Sequence, residues 1–247
     1  MPNISPTYDG GGGQQTATTA AAGTDSWVAV RSDTSGNQNM STSTFGTSAV
    51  SARSYTYSTF RQMWIMRSFF TFDTSAINAT PTDANLVLYG YSSWSDDIIA
   101  VKHSNSGALS SANWTGIDGC SSQTSNTDGS GAGTFASCAT IYSSVFAAGS
   151  GNTSQYNSIS LNSTALTDMT DNDEFKIALV QYDNDYLDIT SYPSNTARVG
   201  MYFQEDTDGG RDPYLSYTEA PVDAANFSTL SVKKSNLNIK GSSLKIK

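Results

Sequence analysis

Apolar residues along this chain fall in short runs, separated by stretches rich in Gly, Ser, Asn and Asp. Positions 63–73 alternate, with Trp64, Met66, Ser68, Phe70 and Phe72 on one face and Ile65, Arg67, Phe69 and Thr71 on the other. A period of two predicts a strand that turns one face to a core. Positions 85–91 form a more continuous run, which predicts a central strand covered on both faces. Further runs lie at 27–30, 98–102, 135–142, 158–161, 175–182, 186–190, 199–203 and 214–217. Their β-branched and aromatic content brings the expectation to about ten strands. A single short helix is predicted over 163–169, with Ser163 as its N-cap. Trp27 and Trp64 are expected in the core.

Many short strands with polar turns and almost no helix predict an all-β sandwich or barrel. The organisation read from the chain has three parts. Residues 1–26 form an extended Gly/Thr/Ala-rich N-terminal arm with little from which to build a core. Residues 27–219 form the sandwich. Residues 220–247 form a linker and a basic tail, the composition shifting at Glu219-Ala220-Pro221. Within the tail, Leu237-Asn238-Ile239-Lys240 and Leu244-Lys245-Ile246-Lys247 repeat one pattern around Gly241-Ser242-Ser243. That spacing predicts a β-hairpin. An isolated hairpin is marginal in water, so Leu237, Ile239, Lys240, Leu244, Ile246 and Lys247 become candidate assembly residues, adding strands to a neighbour.

Composition supports the β reading. Of 247 residues, 39 are Ser and 29 Thr, and only 14% are charged, whereas helical surfaces are usually tiled with Glu, Lys, Arg and Ala. With 10 Phe, 13 Tyr and 4 Trp the chain is not globally disordered. The net charge of −9 is uneven: residues 1–230 hold 8 basic and all 22 acidic residues, a balance of −14, and residues 231–247 hold five lysines and no acid. An acidic body should repel nucleic acid and anionic membrane, while the basic end suits an acidic partner such as another copy of the chain. The first residues show neither a basic nor an apolar leader segment, and no apolar run reaches a membrane span, so the expectation is synthesis in a host cytoplasm without secretion or membrane insertion.

Candidates for chemistry are sparse. The one histidine, His103, follows the run 98–102 and is expected on a surface loop. No Gly-x-Ser-x-Gly elbow accompanies it, so the chain is not expected to be an enzyme. Cys120 and Cys138 either bridge, in which case the closed loop stabilises the fold by about 3 kcal/mol in the chain-entropy account, or stand apart as small hydrophobes. No cofactor is expected apart from a structural calcium, for which Asp183, Asp185 and Asp188 are the candidate ligands in an oxygen-rich stretch. Trp94, beside Asp96 and Asp97, and Trp114 lie among small polar residues. They are candidate glycan-binding positions, the other reading being tryptophans that cover the end of the core.

Two stretches resemble a known family. Arg67-Ser68-Phe69-Phe70-Thr71-Phe72-Asp73-Thr74-Ser75, followed by Ala84-Asn85-Leu86-Val87-Leu88-Tyr89, resembles the core pattern of the DNRLRE domain. Asp212-Pro213-Tyr214-Leu215-Ser216-Tyr217 is similar to its closing signature, one residue shorter. The resemblance spans residues 60–219, and the long Ser/Thr/Gly stretch around Cys120 and Cys138 departs from it. It implies a jelly-roll β-sandwich of a kind found in phage particle proteins and, in secreted forms, similar to carbohydrate-binding modules. Two functions follow as expectations. The first is a non-enzymatic virion structural protein, a capsid decoration, fibre or tail-associated subunit at the virion surface, whose partners are other virion proteins and copies of itself. The alternative is a carbohydrate-binding module recognising a cell-surface or environmental polysaccharide through exposed Trp and loop acids.

Overall fold

The computed structural model describes residues 1–18, 27, 30, 39–41, 45–57, 60–108, 116–120, 135–189, 197–204 and 210–220. Eleven strands run in chain order: β1 (Asn3–Ile4), β2 (Pro6–Thr18), β3 (Asn39–Ser41), β4 (Phe45–Tyr57), β5 (Phe60–Asp73), β6 (Asp83–Trp94), β7 (Ile98–Lys102), β8 (Tyr156–Ser160), β9 (Glu174–Gln181), β10 (Val199–Tyr202) and β11 (Tyr214–Thr218). Every pairing between them is antiparallel.

The strands curl into an all-β sandwich, as the pattern predicted, jelly-roll-like as the resemblance implied. In one layer β6 lies between β8 on one edge and β11 on the other, with β1 beyond β11. In the other layer β5 pairs with β2 along one edge and with β4 and then β9 along the other, with β7 beyond β9. Strand β10 pairs with both β6 and β4 and so joins the layers.

Side chains alternate along β5 as predicted, but both of its faces are buried rather than one. Phe70 and Phe72 enter the main core between the layers with Leu86 and Leu88 of β6, Ile177 and Leu179 of β9, and Met201 and Leu215. Phe69 faces the other way, into a second cluster with Ile99, Val101, Ile117, Phe135, Ala178, Val180 and Tyr186. Nearer the start of β5, Met63 and Ile65 pack with Trp27, Val30 and Ala52. One face of β5 is therefore buried from Met63 to Thr71, and the other is buried from Ser68 to Phe72. Trp64, expected in the core, is half-buried, with the Arg53 guanidinium 5.6 Å from its ring centroid. Trp27 is in the core as expected, but Trp27 and Val30 are helical rather than extended.

Four strands were not legible in the sequence. The Gly-rich part of the expected arm is sheet: Gly10 to Gly13 of β2 pair with Phe69 to Met66 of β5. Glycine serves here by leaving room, since a Cβ on Gly11 would stand 3.1 Å from the Phe203 ring. Strand β4 is built from Ser, Thr and Ala with few large apolar residues, yet Ala49, Val50, Ser51 and Ala52 are all buried. Strands β1 and β3 span two and three residues.

Besides the run 27–30, two further expected strands are otherwise built. The run 135–142 forms a 3₁₀ turn (Phe135–Ser137) and meets its neighbours only at isolated bridges such as Val101 with Ile141. The run 186–190 begins at the end of a π-helical turn, Tyr182–Tyr186, that follows β9, and its described residues form no strand. Helix α1 (Ser163–Asp171) forms as predicted, but its N-cap is Asn162 and not Ser163: the Asn162 Oδ1 accepts from the Ala165 amide at 3.1 Å.

Candidate functional site

Of the residues selected from sequence as a sugar platform, Trp94, Asp96 and Asp97 are spent on structure. Trp94 closes β6 on its inward face and is 5% exposed. Its indole Nε1 donates to the Gly200 carbonyl at 3.0 Å, and its ring meets Phe146 edge-on at 5.5 Å. A Cβ on Gly151 would fall 2.1 Å from the Trp94 ring, so only glycine admits the tryptophan here. Asp96 is 7% exposed; its Oδ1 accepts from Gln181 Nε2 at 2.9 Å and from the Asp97 amide at 3.1 Å. Burial pushes this carboxyl up to about 6, against the hydrogen bonds that favour its charge. Asp97 Oδ1 accepts from the Ala148 amide. These three residues build the turn between β6 and β7, which corrects the reading of Trp94 as an exposed platform. Trp114 and the tail residues Leu237, Ile239, Lys240, Leu244, Ile246 and Lys247 lie outside the described residues.

The candidate calcium ligands are not brought together. Asp185 is fully buried and receives Arg67 at two points, Nε to Oδ2 and Nη2 to Oδ1, each 2.7 Å. The guanidinium also lies 4.6 Å from the Phe135 ring centroid. Asp183 is half-buried, its carboxyl raised by partial burial and by the Asp97 charge, and Asp188 takes a left-handed φ of 59°. Among the described residues no three His, Cys, Asp or Glu side chains are grouped to hold a metal ion.

Gln181 links the two aspartate sites. Its Nε2 donates to Asp96, while its Oε1 accepts from the amides of Asn184 (2.6 Å) and Asp185 (3.3 Å), shaping the π-helical turn that delivers Asp185 to Arg67. Cys120 and Cys138 are bridged, with Cα atoms 5.1 Å apart, and pack on the second cluster beside Phe135. His103 is fully buried, not on the surface: its Nδ1 accepts from the Asn105 amide at 3.2 Å and its Nε2 lies 3.1 Å from the Phe70 carbonyl. Burial holds its pKa down to about 4. With Nδ1 accepting, the neutral tautomer carries its proton on Nε2 and donates to Phe70. At the end of α1, Asp168 Oδ2 receives both the Tyr142 hydroxyl and Lys102 Nζ, and burial together with that contact raises the Tyr142 pKa.

The open feature of the sandwich is a face that the sequence reading missed. Five tyrosines form a continuous chain of rings across the outside of the β6 layer. Tyr91 meets Tyr202 at 5.1 Å, Tyr202 meets Tyr89 at 5.7 Å, Tyr89 meets Tyr156 at 5.0 Å and Tyr156 meets Tyr214 at 5.3 Å, all steeply inclined to one another. Edge-to-face packing of this kind is favourable beyond area burial. The hydroxyls are anchored as well. Tyr89 donates to the Ser154 carbonyl at 2.7 Å and Tyr156 to that of Gly210 at 3.0 Å, while Tyr202 accepts from Arg211 Nη1 at 2.8 Å. Arg211 also lies 4.2 Å from the Tyr202 ring centroid. Tyr156 is 40% exposed and the other four are half-buried.

Strand β6 is thus open on one face over Tyr89, Tyr91 and Ser93, not covered on both. The sequence signal was the pair Tyr89 and Tyr91, two apart around Gly90, whose rings must share a face. That Tyr156, Tyr202 and Tyr214 join them depends on pairing: Tyr89 is opposite Tyr156 in the register, and Val87 opposite Tyr214.

No protein-family model matches the chain, and no curated protein matches it. The family resemblance therefore rests on the quoted motifs alone.

Proposed function

We propose that the chain is a non-enzymatic virion structural protein, of the capsid-decoration, fibre or tail-associated kind, in which the sandwich is a rigid displayed body. One observation carries this reading: among the described residues, three of the groups the sequence offered for chemistry are committed to holding the fold. His103, Asp96 and Asp185 are buried in contacts with Phe70, Gln181 and Arg67. The surface left over is hydroxylic and short of charge, which suits display.

Charge polarity supports assembly. A body of −14 and an end of +5 on one chain favour contacts between copies, or between this chain and another acidic virion protein. The test is to measure the mass of the purified full chain by light scattering, and its attachment to particles with and without residues 231–247. Self-association or attachment that depends on residues 231–247 is expected. A compact monomer that never attaches, or a truncated chain that attaches as well as the full one, overturns the reading.

A further inference from the structure

We infer that the cleft between the turn 74–82 and the end of β11 is the docking site for the C-terminal tail of a second copy of this chain, seated through a Leu-x-Ile-Lys unit. The inference rests on the assembly reading and deepens it, by naming the surface that receives the tail. The cleft has a volume of about 210 Å³. Its apolar lining is Ile77 and Tyr217, both buried, with Ala76, Ala79 and Ala220. An apolar cavity of roughly 150 Å³ takes a benzene ring, so this one has room for a branched aliphatic side chain.

Charge identifies the occupant. Exposed acids crowd this end of the sandwich: Asp73 closes β5, Asp83 opens β6, Asp171 ends α1, Asp173 and Glu174 lead into β9, and Glu219 lines the cleft itself. Backbone pairing holds these segments together, with the Thr82 amide on the Thr218 carbonyl at 3.0 Å and the Thr74 amide on that of Asp173 at 2.9 Å. The nearby lysines are each paired with a carboxylate, Lys176 with Glu174 at 2.9 Å and Lys102 with Asp168 at 3.0 Å. The N-terminal amine lies at the same end, since the Pro2 carbonyl accepts from the Tyr217 amide at 3.3 Å. An apolar opening ringed by negative charge is complementary to an aliphatic segment flanked by lysines.

Leu237-Asn238-Ile239-Lys240 and Leu244-Lys245-Ile246-Lys247 have that pattern, in a stretch that carries five lysines and no acid. In an extended segment Leu244 and Ile246 share one face, which enters the cleft, and the long stems of Lys245 and Lys247 turn to the carboxylates around it. Residues 221–236 lie between the cleft and Leu237 and span up to about 50 Å when extended, enough to reach an adjoining copy. Each copy offers one cleft and one tail, so the contact is heterologous and passes from copy to copy, as a ring or a fibre requires.

Sedimentation of the full chain over a concentration series tests this. Self-association is expected, weakened on the order of tenfold by Ala79→Trp, which fills the cleft, and by Glu219→Lys. Added salt should weaken it as well. Ala79 and Glu219 are exposed, so neither substitution threatens the fold. Leu237→Ser, Ile239→Ser, Leu244→Ser and Ile246→Ser together should abolish association from the tail side. Mixing decides the geometry. The Ala79→Trp chain keeps its tail and the fourfold tail variant keeps its cleft, so the two should form a one-to-one complex that grows no further. If association depends on residues 231–247 but Ala79→Trp and Glu219→Lys associate like the parent, the assembly reading stands and the cleft inference is overturned. A full chain that stays monomeric yet attaches to particles through residues 231–247 has the same meaning, as does a mixture that forms no complex. A chain that neither associates nor attaches overturns both.

Discussion

Arg67 and Asp185 stand 118 positions apart in the chain, and their side chains meet at two points 2.7 Å long with neither exposed to solvent. Buried charges are tolerated only when paired and hydrogen-bonded, because desolvation rivals the attraction between them. The pair sits under a lid made by Phe135, whose 3₁₀ turn is tethered by the disulfide between Cys120 and Cys138. The second cluster on the outer face of β7 and β9 is therefore organised around a polar centre.

Removing one partner of that centre should cost far more than removing both. Asp185→Ala is expected to destabilise the protein by about 3–5 kcal/mol, by leaving the guanidinium buried without its counter-charge. The double variant Arg67→Met with Asp185→Leu should recover much of that loss. Urea midpoints of the two single variants and the double variant, read as a double-mutant cycle, check this.

Acid should act on His103 and Asp96 in opposite directions. His103 titrates near 4 when folded against 6.5 when free, so the unfolded chain takes up the proton first and stability is lost as pH falls through that window. Asp96 titrates near 6 when folded against 3.8, so its contribution is fully present below 3.8 and is lost as pH rises through 6. Each effect is on the order of 3 kcal/mol and the two largely cancel in the parent protein. Asp96→Asn should steepen the loss of stability between pH 6.5 and 4 relative to the parent. His103→Gln should shift stability the other way over the same range. Denaturation midpoints measured at half-unit pH steps separate the two.

Reducing the disulfide, or replacing both cysteines by Ser, should lower stability by about 3 kcal/mol, the chain-entropy value for a loop of this size. The loss should be felt first where the loop packs. Amide hydrogen exchange is expected to quicken in β7 and at Phe135 before it changes in β6.

The helix cap offers a clean pair of substitutions. Asn162→Ala should cost about 1 kcal/mol, because the Ala165 amide loses its acceptor, and Ser163→Ala should be near neutral. Thermal unfolding of the two variants distinguishes the cap from its neighbour.

What the sequence determined by itself was local and periodic. Alternation at 63–73 and the apolar runs at 85–91, 98–102, 158–161, 175–182, 199–203 and 214–217 placed seven strands, because side chains that alternate in sequence must alternate between faces of a sheet. Hydroxylic composition with little charge pointed to β structure without helices, and the acidic body was visible by counting. Only the tertiary structure could decide what each face meets. Gly10 to Gly13 read as an arm because glycine carries no side-chain pattern, and they became a strand through the partner offered by β5. Trp94 and His103 looked exposed among polar neighbours in sequence, but their neighbours in space are Gly151, Phe146, Phe69 and Phe70. The tyrosine face had the same origin: its five rings come from four strands, and register, not sequence proximity, brought them together. Pairing partners and register are properties of the whole chain, set by which faces can be buried at once, and no short window of residues carries them.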